Sequence, residues 1–221
     1  MNRRRVVAWC LLIGVTVACV QDGRWWQARR QARLPIIQQQ AKTRGGGQPI
    51  LDVVEFSDFQ CPACGQAFQL LHPLFEKYPA QLRFSFRQYP LEKPHRWALT
   101  AAVASECAAR EGKFWPYHDL LFRLQPQWSK ADEAVALLKV YARQLRMDGR
   151  VFDRCVDRQQ TLEAVRADQQ TAKAWQVSST LTLIINGQER IVGAQMLLQA
   201  LPKLEARLQE QAPPSSQGKQ P

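Results

Sequence analysis

Residues 53–68 read VVEFSDFQCPACGQAF, and this junction of a strand-length apolar run with a Cys-x-x-Cys that opens a helix constrains the chain more than any other feature. Residues 50–56 (ILDVVEF) have the length and β-branched content of a buried strand. Residues 65–78 then carry Phe68, Leu71, Leu74 and Phe75 at helical spacing. Pro62 suits the first turn of that helix, where its missing N–H removes nothing and its fixed φ helps. Cys61 therefore sits at a helix N-terminus, where unpaired N–H groups and the macrodipole favour a thiolate. Cys64, one turn further in, is placed to attack a mixed disulfide on Cys61 and close an intramolecular bridge. Thiol–disulfide exchange is the expected chemistry, with Cys61 as nucleophile and Cys64 as resolving thiol.

The same spacing also supplies half of a zinc site. Zinc needs two further ligands, but Cys107 and Cys155 are isolated, and His72, His95 and His118 show no His-x(3–5)-His spacing. The redox reading is preferred, and no metal or organic cofactor is expected.

Three stretches resemble the thioredoxin superfamily, and more closely its DsbA-like branch of bacterial thiol–disulfide oxidoreductases. They are VEFSDFQCPAC at 54–64, ECAAREGKFWPYHDLLF at 106–122 and STLTLIINGQERIVGA at 179–194. The resemblance spans residues 49–210. It implies an α/β thioredoxin-like fold with an all-helical subdomain, about 94–176, inserted between the βαβ half and the closing ββα half.

The chain also departs from that family. A cis-proline loop usually faces the Cys-x-x-Cys, offering backbone hydrogen bonds to a bound peptide and shielding the cysteines from metals. Here the loop reads Ser179-Thr180-Leu181-Thr182, with Leu181 where the proline should stand. A cis bond before a non-proline residue costs about 2.5–4 kcal/mol, against roughly 0.5–1 before proline, so Thr180–Leu181 is expected to be trans. Substrate binding is then altered, and the client could be one dedicated partner. Ala63 stands where the best-known oxidant of the family has a histidine, which implies a less stabilised thiolate. Glu55, six residues before Cys61, matches a buried acid that exchanges protons near the inner cysteine; the alternative is a carboxylate facing solvent at the sheet edge. Asp58 and Gln60 are read as shaping the loop. For Phe59, Phe68 and Trp115 the ordinary role is aromatic core, with a place beside a substrate groove as the alternative, and the three histidines are read as packed or surface residues.

The net charge of +11 looks like a nucleic-acid signal until it is divided. Residues 1–48 carry nine Lys or Arg and one acid, whereas the remainder carries 21 against 18. A nucleic-acid partner needs its basic patch on the folded surface and is excluded. Three arginines followed by VVAWCLLIGVTVACV form the n-region and h-region of a signal anchor or signal peptide, residues 1–22. An uncleaved anchor, a lipidated form at Cys19 and a secreted form all fit; Cys10 and Cys19 otherwise serve as small apolar residues. Residues 23–48, with Trp25 and Trp26 beside arginines, read as a juxtamembrane linker ending in a flexible joint at Gly45, Gly46 and Gly47. The folded domain then begins near Pro49.

Residues 81–89 alternate as a half-buried strand. Four helices are expected in the insertion, among them one through Trp97, Ala101, Ala104 and Ala108, and one at 134–145 capped by Ser129 and Asp132. The fourth is long and polar and starts after Asp148-Gly149. Cys107 and Cys155 lie within this insertion. Two unpaired thiols in an oxidising compartment risk misoxidation, so a structural disulfide pinning its first helix to its last is expected; two separate buried cysteines are the alternative. Residues 180–186 and 190–192 form a hairpin through Asn186-Gly187, a leucine-striped helix closes the domain, and 211–221 is a disordered tail.

The resulting expectation is a bacterial-envelope thiol–disulfide oxidoreductase acting as an oxidant. It is a monomer, N-terminally anchored in the membrane with its catalytic domain on the extracytoplasmic side. Its partners are proteins bearing thiols or disulfides and a membrane redox-recycling protein. A reductase of one client and a non-catalytic binding module remain open as alternatives.

Overall fold

The structure, a computed structural model, describes residues 40–210. The expected anchor, the linker up to residue 39 and the tail lie outside the described residues. Among the described residues no helix is long and apolar enough to cross a membrane.

Strand β2 (Leu51–Ser57) lies at the centre of a five-stranded sheet, with β3 (Leu82–Gln88) parallel on one side and β4 (Thr182–Ile185) antiparallel on the other. The edges are β1 (Thr43–Gly45), antiparallel to β3, and β5 (Glu189–Val192), antiparallel to β4. Alternation along β2 sends Leu51 and Val53 into the main core with Phe84, Phe86, Leu183 and Ile185. Phe56 points the other way, into a smaller core with Ala172, Val177 and Ile184.

Helix α1 (Pro62–Lys77) follows β2 and buries Ala67, Phe68, Leu71 and Leu74 in the main core, where α8 (Gly193–Glu210) adds Leu197, Leu204 and Leu208. Between β3 and β4 the chain forms α2 (Ala98–Arg110), α3 (Phe114–Arg123), α4 (Gln125–Trp128), α5 (Ala134–Gln144), α6 (Gly149–Asp157) and α7 (Leu162–Ala174). This is a thioredoxin-like α/β fold with a helical insertion.

Four local expectations change. Strand β1 occupies what reads as linker. At Gly45 (φ +103°) an added Cβ would lie 1.8 Å from the Leu82 carbonyl oxygen, and at Gly46 one would lie 1.9 Å from that of Ala80. These glycines permit close backbone packing, which composition alone does not distinguish from flexibility. The long fourth helix is two, α6 and α7, separated at Arg158–Thr161, where Gln159 takes a left-handed φ of +45°. Helix α5 is capped by Glu133, whose carboxylate accepts from the Val135 N–H, because Ser129 already ends α4. The Thr180–Leu181 bond is cis. The trans expectation weighed only the isolated amide. In the fold Leu181 is fully buried, its carbonyl accepts from the Gly193 N–H at 2.8 Å, and the Thr182 hydroxyl donates to the Ser179 carbonyl.

Candidate active site

Cys61 is the N-cap of α1, in an extended conformation, and Pro62 takes the first helical position. The local sequence dictates this: proline cannot donate the first N–H, and the turn closes with Cys64 and Gly65 N–H groups donating to the Cys61 carbonyl at 3.1 Å. Both cysteines are free thiols; Cys61 is 7% exposed and Cys64 is fully buried.

The two sulfurs are driven apart in acidity. A hydrogen bond from the Cys64 thiol lowers the Cys61 pKa most, against the opposing effect of burial. The buried Thr180 hydroxyl lowers it further. The Cys64 and Ala63 N–H groups at the helix start complete a setting that brings the thiol down to about 5. Ala63 thus contributes through its backbone, a stabilisation that its methyl side chain does not reveal. Burial pushes the Cys64 thiol well up, reinforced by its bond to Cys61. Cys61 is thus the more readily ionised sulfur, and Cys64 the one that keeps its proton.

Glu55 sits on the central strand, opposite Phe86 in β3 and Leu183 in β4, and is 3% exposed. The edge alternative is thereby set aside. Burial raises its pKa to about 7, with Ser57 and Arg44 only partly offsetting and Cys61 adding to the rise. A buried carboxyl that titrates near neutrality beside two thiols can take or deliver the proton that exchange requires.

Two glutamines join the helical insertion to the cysteine loop. Gln125 Nε2, on α4, donates to the carbonyls of Phe59 (2.7 Å) and Cys61 (2.9 Å), and its side chain lies where a Cβ on Gly65 would be, 2.5 Å from Oε1. Gln60 Nε2 donates to the Ser129 carbonyl while its Oε1 accepts from the Trp97 N–H. Sequence reading assigned Gln60 to the loop but missed Gln125, which is 64 residues away in sequence from Cys61 and bears no motif.

Cys107 and Cys155 are bonded to each other, with Cα atoms 6.0 Å apart, and link α2 to α6 rather than to the last insertion helix, α7. They are not part of the cysteine loop. Phe59 and Phe68 are core residues, each in ring contact with Phe122, and Trp115 packs on the same core. His118 is buried among these rings, and burial lowers its pKa to about 4, so it is neutral near pH 7. Among the described residues no group of three or more His, Cys, Asp or Glu could hold a metal ion.

A family model described as thioredoxin matches residues 44–200. Among solved structures the chain resembles oxidised BdbD from Bacillus subtilis, with a TM-score of 0.64 and 22% identity over 76% of this chain and 92% of that one. It also resembles the thiol-disulfide exchange protein α-DsbA2 from Wolbachia pipientis, with a TM-score of 0.63 and 17% identity over 87% of this chain and 98% of that one. At these identities the likeness concerns the fold. A curated relative, Na(+)/H(+) antiporter NhaA 3 of Salinispora tropica, is 34% identical over 154 residues, which are 70% of this chain. Another, from Herminiimonas arsenicoxydans, is 30% identical over 182 residues. The chain spans only 23% and 28% of these two relatives.

Proposed function

Because the chain belongs to the thioredoxin family and places its Cys61–Cys64 pair at the start of a helix, we propose that it is a DsbA-like thiol–disulfide oxidoreductase that works as an oxidant of extracytoplasmic proteins. The setting of Cys61 supports the direction: it caps α1, whose first N–H groups, with the Cys64 thiol, favour its thiolate. A Cys61 thiol held near 5 stabilises the reduced form, so the oxidised Cys61–Cys64 pair gives up its disulfide readily. A client thiolate attacks Cys61, Cys64 leaves and takes up a proton, and a second client thiol then releases Cys61 as a stable thiolate. Glu55 serves as the buried proton donor and acceptor for Cys64.

The arginine-led apolar segment before residue 22 supports an extracytoplasmic site with N-terminal membrane attachment. The bonded Cys107 and Cys155 fit an oxidising compartment. In the curated relatives a matching segment is part of a chain named as a Na(+)/H(+) antiporter, and ion exchange of that kind takes place across a membrane, which supports work close to one. A membrane protein that reoxidises the pair completes the cycle.

Equilibration in glutathione buffers of graded poise tests the direction. A potential near −120 mV is expected for an oxidant. A value near −270 mV overturns the proposal in favour of a reductase, and resistance to reduction below about −300 mV indicates a structural bridge.

A further inference from the structure

The resolving thiol faces a difficulty that the nucleophile does not. Cys64 is fully buried and must lose its proton before it can attack. Besides Cys61, the group placed to stabilise the resulting charge is the Asp58 backbone N–H, 3.5 Å from Cys64 Sγ. The other side of the same residue holds the nucleophile, since the Asp58 carbonyl accepts from the Cys61 N–H at 3.1 Å. Asp58 therefore addresses both cysteines with its backbone.

Its side chain is fully buried and fixed by three donors. Oδ1 accepts from the Gln60 N–H at 2.7 Å, and Oδ2 accepts from the Leu91 N–H at 3.0 Å and from His95 Nδ1 at 2.6 Å. Leu91 and His95 belong to the connection between β3 and α2, itself closed by the His95 N–H on the Leu91 carbonyl. A loop distant in sequence thus clamps the residue that presents an N–H to the inner sulfur.

We propose that Asp58 is a positioning residue for disulfide closure: its carboxylate, clamped by Gln60, Leu91 and His95, aims the Asp58 N–H at the Cys64 sulfur as that sulfur becomes a thiolate. In the closing step Cys61 carries a partner's sulfur in a mixed disulfide. The Cys64 proton passes to a base, for which Glu55 is the adjacent carboxylate. The Cys64 thiolate attacks Cys61 Sγ, the Cys61–Cys64 bond forms, and the bond to the partner's sulfur breaks. That sulfur leaves with the electron pair and is protonated by solvent. This inference rests on exchange at Cys61–Cys64 and is independent of the physiological direction.

The test mixes the reduced full-length protein with glutathione disulfide, quenches with acid and follows two species by mass: the Cys61–glutathione mixed disulfide and the closed Cys61–Cys64 form. The closing rate of each variant is divided by its own rate of mixed-disulfide formation. D58N keeps the volume of the side chain but, whichever way its amide turns, sets an NH2 against either the Gln60 N–H or the Leu91 N–H, so the clamp opens. A fall of roughly tenfold in the ratio, with visible accumulation of the mixed disulfide, is expected. H95A removes one of the three donors, leaves Asp58 in place and should lower the ratio by about threefold. A ratio within twofold of wild type in folded D58N, or in H95A should D58N fail to fold, overturns the inference. Failure of the wild-type protein to form the mixed disulfide at all removes the exchange reading itself.

Discussion

Gln125 Nε2 donates to the Cys61 carbonyl at 2.9 Å, so a helix of the insertion holds the backbone at the start of the Cys-x-x-Cys. The same nitrogen reaches the Phe59 carbonyl at 2.7 Å. Q125A leaves both carbonyls without this donor and is expected to lower stability by about 1–3 kcal/mol, measured by urea unfolding of the reduced protein. G65A should weaken the same contacts, because its Cβ would stand 2.5 Å from Gln125 Oε1. The double variant is expected to lose much less than the sum of the two, since both substitutions remove one interaction.

The acidity of Cys61 sets a pH profile. Alkylation of the reduced protein by iodoacetamide should rise with a midpoint near pH 5 and flatten well below the ordinary thiol range. Because the folded pKa lies below the unfolded one, this group contributes stability that is present above the unfolded thiol pKa and lost as pH falls through about 5. The reduced protein should therefore gain stability relative to the oxidised form between about pH 5 and pH 8.5. A midpoint near 8.5 would show that the helix start does not stabilise the thiolate.

Glu55 shows the opposite sign. Its folded pKa, about 7, lies above the ordinary carboxyl value of about 4.5, so the folded state holds the proton more tightly. That contribution is fully present below about 4.5 and lost as pH rises through about 7. Over this window the wild-type protein should lose stability at up to about 1.4 kcal/mol per pH unit relative to E55Q, which cannot titrate. Parallel denaturation curves for the two proteins would show a carboxylate free to ionise in the folded state. The same variant should slow proton-coupled closure by Cys64 while leaving Cys61 alkylation in place.

Lys42 is the best-buried cation of the described chain, with its ammonium 2.7 Å from Glu106 and 2.5 Å from Asp168. Asp168 in turn accepts from the Gln88 N–H and pairs with Arg87 on β3. K42M would strand two buried carboxylates beside one remaining arginine and is expected to cost about 3–5 kcal/mol. A chain begun at residue 49 loses Lys42 and β1 together, and should unfold at lower urea than one begun at residue 39. Equal midpoints would place the domain boundary where the glycine run suggests.

The redox centre was legible because its physics is local. Strand, proline and helix periodicity together fix Cys61 at a helix N-terminus, and the Cys-x-x-Cys spacing puts Cys64 one turn behind it. The apolar, β-branched run at residues 50–56 likewise announced a strand, although its central place in the sheet, and whether Glu55 faced core or solvent, depended on β4 arriving beside it.

What escaped the sequence were contacts between distant segments. Gly45 and Gly46 look like any flexible joint until the carbonyls of Leu82 and Ala80 are found against them. The Thr180–Leu181 bond reads as trans when only the isolated amide is weighed, yet in the packed loop it is cis. Gln125 and His95 carry no motif, and act only because the insertion folds back over the cysteine loop. Sequence by itself determined the chemistry, since a thiolate at a helix start needs only neighbours within a few residues. Tertiary structure decided how far each thiol is shifted and what holds it, because desolvation and hydrogen bonding of a buried group depend on whichever segments come to surround it.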